Sequence, residues 1–147
     1  MSGHSNTVTP FIFEGQDIRG SLVLLSDAWQ AMLRERGYTP PVESLLGEMA
    51  AVAALIGSHL KTPARLTLQA QGSGEVSLLV VDCNEQLQLR GMAKSRGATN
   101  AMHATPRQLL GDGRLSLSLQ NDAASQPYQS TVPLAGFFGL ALSSRSS

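Results

Sequence analysis

Charge is scarce in this chain of 147 residues: Asp, Glu, Lys and Arg make up 15% of it, against roughly 25% in an average soluble domain. Eleven Lys+Arg balance eleven Asp+Glu, leaving a formal net charge of zero. A neutral chain lacks the electrostatic footprint of a nucleic-acid or acidic-membrane binder, so neither nucleic acid nor membrane is expected as a partner. Polar work passes to 17 Ser and 10 Gln. Such a surface repels copies of itself poorly, which favours an oligomer.

Cysteine is nearly absent. The single Cys83 cannot form an intrachain disulfide or a multi-cysteine zinc site, and no N-terminal segment joins a basic region to an apolar stretch and a cleavage signal. A cytoplasmic location is expected. Long apolar runs are missing too: the most apolar stretch, Leu45 to Leu60, is interrupted by Gly47, Glu48, Gly57, Ser58 and His59, and it reads as a buried helix rather than a membrane span.

What is present suffices for one domain, since a chain of this length buries roughly 70% of its unfolded surface. Residues 1–10, MSGHSNTVTP, are small, polar and without periodicity, and are expected to form a mobile tail. From Phe11, FIFEGQDIRGSLVLL alternates and then runs apolar, with breaks at Gly15 and Gly20, predicting one or two strands. Ser26 or Asp27 can cap a short helix whose Trp29, Met32 and Leu33 fall at i, i+3 and i+4 before Gly37 stops it. Pro40 and Pro41 suit the first turn of a second helix, whose Val42, Leu45, Leu46, Met49, Val52, Ala53, Ile56 and Leu60 keep helical spacing. Its other face adds Ala50, Ala51, Ala54 and Leu55, so this helix is expected to be covered on most sides.

After Pro63 the period becomes two. ARLTLQAQ predicts a half-buried strand, Gly72-Ser73-Gly74 offers the positive φ angles of a tight reversal, and VSLLVVD and LQLRGMAK complete a three-stranded meander. Ser95 to Thr105 reads as a loop, and Thr105-Pro106 opens a short helical piece ending near Gly111. RLSLSLQ is a strand with Leu115, Leu117 and Leu119 inward, and turn-forming NDAASQP leads to a last strand near YQSTVPL. The expected fold class is α+β, an antiparallel sheet with helices packed on its apolar face. In VSLLVVD, Leu78 and Val80 lie on one face and Leu79 and Val81 on the other, so something besides the second helix is expected to cover the sheet there.

Chemistry is sparse. Gly72 and Gly74 resemble part of a phosphate loop, but the pattern fails at Ser77 and no helix follows, which leaves a hairpin turn. Ser58-His59 sets a hydroxyl beside an imidazole, yet helical neighbours point about 100° apart, and no nucleophile elbow exists. His4, His59 and His103 are scattered without Cys or carboxylate at ligand spacing. Glu43 and Glu48, five apart, do not share a helix face. Cys83 follows Asp82, whose charge disfavours the thiolate, so it reads as structural. Trp29, Met32 and Met49 read as core. No nucleophile, base and orienter assemble, and the chain is not expected to be an enzyme.

Three stretches carry a resemblance: PPVESLLGEMAAVAALIGSHLK (Pro40 to Lys61), RLTLQAQGSGEVSLLVVD through LRGMAK (Arg65 to Lys94), and LLGDGRLSLSLQ with YQSTVPLAG (Leu109 to Gly136). With IRGSLVLL near the start, they are similar in collinear order, over roughly residues 17 to 136, to the N-terminal domain of the heat-shock protein 33 family of redox-regulated chaperones. The resemblance implies an ATP-independent, oxidant-activated holdase of the bacterial cytoplasm, which binds unfolding client proteins and is dimerised through its N-terminal domain. It is compatible with a domain-swapped homodimer.

The family's C-terminal zinc domain carries C-x-C and C-x-x-C motifs, and none of those four positions is among these 147 residues, so no zinc or other cofactor is expected. The chain is thus expected to divide into a tail at 1–10, a chaperone domain at 11–136 and an atypical tail, FFGLALSSRSS, at 137–147. A frameshift, premature stop or expression boundary is expected after Gly136. Function is expected to be holdase binding through apolar sheet surface without the redox switch, with Leu78, Leu79, Val80 and Val81 as candidate client contacts. The alternatives are a structural or inactive remnant that associates with itself, and an unrelated small enzyme on the same scaffold.

Overall fold

In the computed structural model the described residues are 6–34, 36–96, 105–121 and 126–135. The chain opens with an antiparallel ribbon, β1 (Asn6–Phe13) and β2 (Ile18–Leu25). Gly15, at φ +76°, makes the reversal between them possible. Two helices follow, α1 (Ser26–Leu33) and α2 (Pro40–Ser58). The meander β3 (Arg65–Gly72), β4 (Val76–Cys83) and β5 (Leu89–Ser95) comes next, then the single turn α3 (Pro106–Leu110) and the strands β6 (Gly113–Gln120) and β7 (Tyr128–Pro133). The five strands form one antiparallel sheet in the order β5-β4-β3-β6-β7, apart from the β1-β2 ribbon. The α+β class read from the sequence is the observed one.

Alternation sets the two faces of the sheet. Leu66, Leu68 and Ala70 of β3 stand opposite Cys83, Val81 and Leu79 of β4 and opposite Leu119, Leu117 and Leu115 of β6. Directly paired residues project to the same side, and this side meets the helices. Helix α2 lies across it, burying Val42, Leu45, Leu46, Met49, Ala50, Ala53 and Ala54. The small side chains bring the helix backbone close, while Leu46 and Leu68, 0% and 2% exposed, each contribute roughly 2 kcal/mol by leaving water. By length and a mean hydropathy of 1.2 alone α2 is long and apolar enough to cross a bilayer, but its buried residues are spent on this core.

Four local readings are corrected. Residues 6–10 are not a tail but the first half of β1. Their Thr7 and Thr9 are β-branched, and the Asn6 side chain has work far along the chain, its Oδ1 accepting the Ala28 N–H at 3.3 Å and its Nδ2 reaching the Leu87 carbonyl at 3.3 Å. That bond replaces the expected Ser26 or Asp27 cap, for α1 has Leu25 at its N-cap and no side-chain cap of its own.

Leu87 is not in a strand. It sits at φ +62° in the turn before β5, because Asn84 Oδ1 accepts from both Gln86 and Gln88 amides, at 3.0 and 2.9 Å, closing an Asx-type turn around it.

Finally, Gly72 and Gly74 supply no positive φ; among the described glycines only Gly15, Gly37 and Gly111 do. A Cβ at Gly72 would lie 2.3 Å from the Leu110 carbonyl oxygen, and one at Gly74 2.4 Å from that of Leu109. The pair is glycine so that the C-terminal carbonyls of α3 can reach the β3-β4 turn, where the Gly74 amide donates to Leu110 O at 2.8 Å. Residues 1–5, most of the Ser95–Thr105 loop, the centre of NDAASQP, and 136–147 lie outside the described residues, as do His4 and His103.

Candidate binding surfaces

Among the described residues, most of the exposed large apolar side chains are on the β1-β2 ribbon. Register pairs Phe13 with Ile18, Phe11 with Gly20, Thr9 with Leu22 and Thr7 with Leu24, so all of these share one face. The opposite face turns Val8, Val23 and Leu25 onto the core. On the outward face Phe11, Phe13, Ile18, Leu22 and Leu24 are between 45% and 55% exposed. Phe11 lies over Gly20, where a Cβ would fall 2.3 Å from its ring, and meets Phe13 edge to face at 5.6 Å. The aromatic pair stiffens a ribbon that two strands alone would hold only marginally.

Beside it, β2, α1 and α2 enclose an open groove of 390 Å³ lined by Val23, Leu25, Ser26, Trp29, Gln30, Gly47 and Ala51. The Trp29 ring stands where Gly47 has no side chain: a Cβ there would fall 1.7 Å from Cζ3.

The structure splits the four predicted client contacts. Leu79 and Val81 are 0% exposed and belong to the core under α2, so neither offers surface in this structure. Leu78 and Val80 are half-buried on the open face, opposite Gln71 and Gln69 of β3. Sequence reasoning missed the ribbon face as a site, although the alternation of Phe11 with Phe13 and of Leu22 with Leu24 was its signal.

The open face also carries the main ion-pair cluster among the described residues. The Asp82 carboxylate accepts from Arg65 Nε at 2.9 Å, from Arg65 Nη2, from Thr67 Oγ1 at 2.6 Å, and from Arg90 Nη2 at 3.5 Å. Burial alone would raise the Asp82 carboxyl, but the bonds from Arg65, Thr67 and Arg90 outweigh it and hold it below its ordinary 3.8. A depressed carboxyl stabilises the fold above its unfolded pKa, and that contribution is lost as pH falls through the folded value. Urea melts of wild type and Asp82→Asn are expected to differ by about 1 kcal/mol above pH 4, discounting for solvent screening, with the gap closing as pH drops below that. A gap independent of pH would show that the cluster is not what the carboxylate stabilises.

No catalytic arrangement emerges among the described residues. Contrary to the divergence expected of helical neighbours, Ser58 Oγ lies 3.1 Å from His59 Nδ1. Ser58 Oγ also donates to the Leu55 carbonyl at 2.9 Å, however, and His59 Nδ1 lies 2.8 Å from the same oxygen, so both groups are engaged at the C-terminus of α2. Cys83 is buried. Burial first and the Asp82 charge second push its thiol up to about 11, which suppresses the reactive thiolate. Among the described residues no three His, Cys, Asp or Glu could hold a metal ion, and the chain's one cysteine does not fit a four-cysteine zinc centre.

The described residues thus combine a helix-backed antiparallel sheet with an exposed apolar ribbon. The family model described as Hsp33 protein matches residues 6–143, and the chain belongs to that family. The match extends past Gly136. The chain is 40% identical over 126 residues to the 33 kDa chaperonin of Pseudomonas putida strain F1, covering 86% of this chain and 42% of that protein. With the 33 kDa chaperonin of Aliivibrio salmonicida it shares 37% over 132 residues, 90% of this chain and 45% of the other. The crystal structure of the Thermotoga maritima 33 kDa chaperonin shares the fold, at a TM-score of 0.71 and 18% identity over 88% of this chain and 46% of that one. The chain thus spans less than half the length of the relatives it matches.

Proposed function

We propose that this chain is an ATP-independent holdase module, which keeps unfolding proteins from aggregating by offering them apolar surface. The carrying observation is the outward face of the β1-β2 ribbon, where five large apolar side chains stand half-exposed on a face with no charged residue. Each Å² of apolar client surface buried there is worth roughly 25 cal/mol. Since this term is blind to side-chain order, binding is broad and sequence-tolerant. Membership of the Hsp33 family and the chaperonin names of its relatives support the reading.

The test is light scattering from a chemically denatured client diluted into buffer with the chain at stoichiometric excess. Scattering is expected to fall, equally with and without peroxide because the one thiol is buried. The variant Phe11→Ser/Leu22→Ser/Leu24→Ser is expected to lose most of that effect while keeping its circular dichroism. An unchanged client aggregation curve with wild-type chain would remove the holdase reading.

A second reading is favoured by the zero net charge together with the same apolar face: the ribbon seats a second copy, giving a homodimer. Multi-angle light scattering on wild type and the triple variant separates the two, since a self-sealed ribbon gives a dimer that the variant breaks and that holds no client.

A further inference from the structure

The two edges of the five-stranded sheet are treated differently. Strand β5 ends one side, and it is guarded. The Tyr38 hydroxyl accepts the Ala93 N–H at 3.1 Å. Helix α1 lies so close that a Cβ on Gly91 would stand 2.8 Å from Met32 Sδ. Arg90 and Lys94 add charge along the strand. These are the usual means by which an edge is kept from pairing with foreign chain.

Strand β7 ends the other side, and among the described residues nothing pairs with its outer edge. Its sequence YQSTVP carries no charge, and its one blocking residue, Pro133, is the last. Register pairs Tyr128 with Leu119 and Val132 with Leu115, so both face the helix side of the sheet, where Tyr128 is 59% and Val132 44% exposed. Leu117 and Leu119, half-buried beside them, continue the apolar strip inward.

We propose that the outer edge of β7 accepts an extended segment of an unfolding polypeptide as a sixth strand of the sheet. The outer backbone groups of β7, which have no strand partner among the described residues, would supply sequence-independent hydrogen bonds, and Tyr128 and Val132 would select segments with apolar side chains at alternate positions. This deepens the holdase reading and rests on it for the nature of the partner: the apolar ribbon gathers client loosely, and the strand edge holds it in register. An uncharged edge suits uncharged client strands and admits many sequences, because the main chain carries the bonding.

The experiment is amide hydrogen exchange by mass spectrometry on the full chain, alone and with excess of a ten-residue peptide of valine alternating with threonine, a lysine at each end. Its counterpart N-methylated at every residue keeps the side chains and loses every donor. Exchange across 128–132 is expected to slow at least roughly ten-fold with the first peptide and not with the second. Val132→Lys and, on the other face of the same strand, Gln129→Lys are each expected to weaken peptide binding about ten-fold or more by placing charge at the edge.

Protection confined to β1-β2, no protection anywhere, or equal binding of the methylated peptide would overturn the proposal. So would β7 protection that appears with rising protein concentration and no peptide, which would assign the edge to a second copy. Client aggregation suppressed with β7 silent sinks the edge and leaves the holdase reading standing; β7 protected by peptide without any suppression does the reverse.

Discussion

Replacing Leu79 with Asp is expected to abolish the folded state, while replacing its neighbour Leu78 with Asp is expected to leave the thermal transition within a few degrees of wild type. The two side chains are adjacent in β4 and point to opposite faces. Leu79 is 0% exposed, opposite Ala70 and Ala93 and beneath α2. Losing its packing costs about 2–5 kcal/mol, and an unpaired carboxylate buried in its place adds several more. Together these approach the whole stability of a domain, roughly 5–15 kcal/mol. Leu78 is half-buried on the open face, across from Lys94 of β5 and Gln71 of β3, where a carboxylate keeps its water and the cost is about 1 kcal/mol. Circular dichroism melts of the two variants decide it. If both melt like wild type, or both fail to fold, the phase of β4 is wrong, and with it the division of the four predicted client contacts.

That division shows where sequence reading works in this chain and where it stops. Period-two stretches such as ARLTLQAQ and RLSLSLQ, and the i, i+3, i+4 spacing from Val42 to Ile56, became β3, β6 and α2 because each pattern needs only its own neighbours. The doubly apolar VSLLVVD could be placed as a strand, but which of its faces lay under a helix depended on partners tens of residues away.

The other misreadings have the same root. Asn6 looks like a tail residue until its amide is seen capping α1 across 22 positions. The glycines at 72 and 74 do stand at the β3-β4 reversal, but what requires glycine there is the close approach of α3 rather than a positive φ. For the ribbon, the alternation of Phe11 with Phe13 and of Leu22 with Leu24 was legible. Its meaning as exposed surface was not, since apolar alternation ordinarily marks a face that something covers.

The ribbon and the β7 edge lie on different sheets, and both leave apolar groups in water at some cost to solubility. A chain selected only to fold would have charged them, as β5 is charged by Arg90 and Lys94. The contrast between a guarded and an unguarded edge in one sheet argues that the exposure serves binding rather than resulting from a poor core.

The second large effect is expected at Gly113, where Gly113→Ala should destabilise the chain by about 3 kcal/mol or more, at the upper end of what overpacking usually costs. A Cβ there would stand 1.8 Å from the Gln71 carbonyl oxygen, 2.9 Å from its carbon and 3.0 Å from Gly72 Cα. All three are backbone atoms of β3, which pairs with β6 in this register, and they cannot retreat without parting the strands. Gly47→Ala is the control. Its nominal clash is closer, 1.7 Å, but with the ring of Trp29, a half-buried side chain beside an open groove, so the ring can swing aside at a cost of about 1 kcal/mol.

The smaller distance therefore predicts the smaller effect, because what must move decides the energy. Denaturant melts of both variants measure this ordering, and a Gly113→Ala chain as stable as Gly47→Ala would contradict it. The loss at Gly113 should also reach function, since β6 is the strand that holds β7 in place. Under conditions where the variant is still folded, the amides of 128–132 should exchange faster than in wild type, and the edge that we assign to client strands should bind the valine-threonine peptide less tightly.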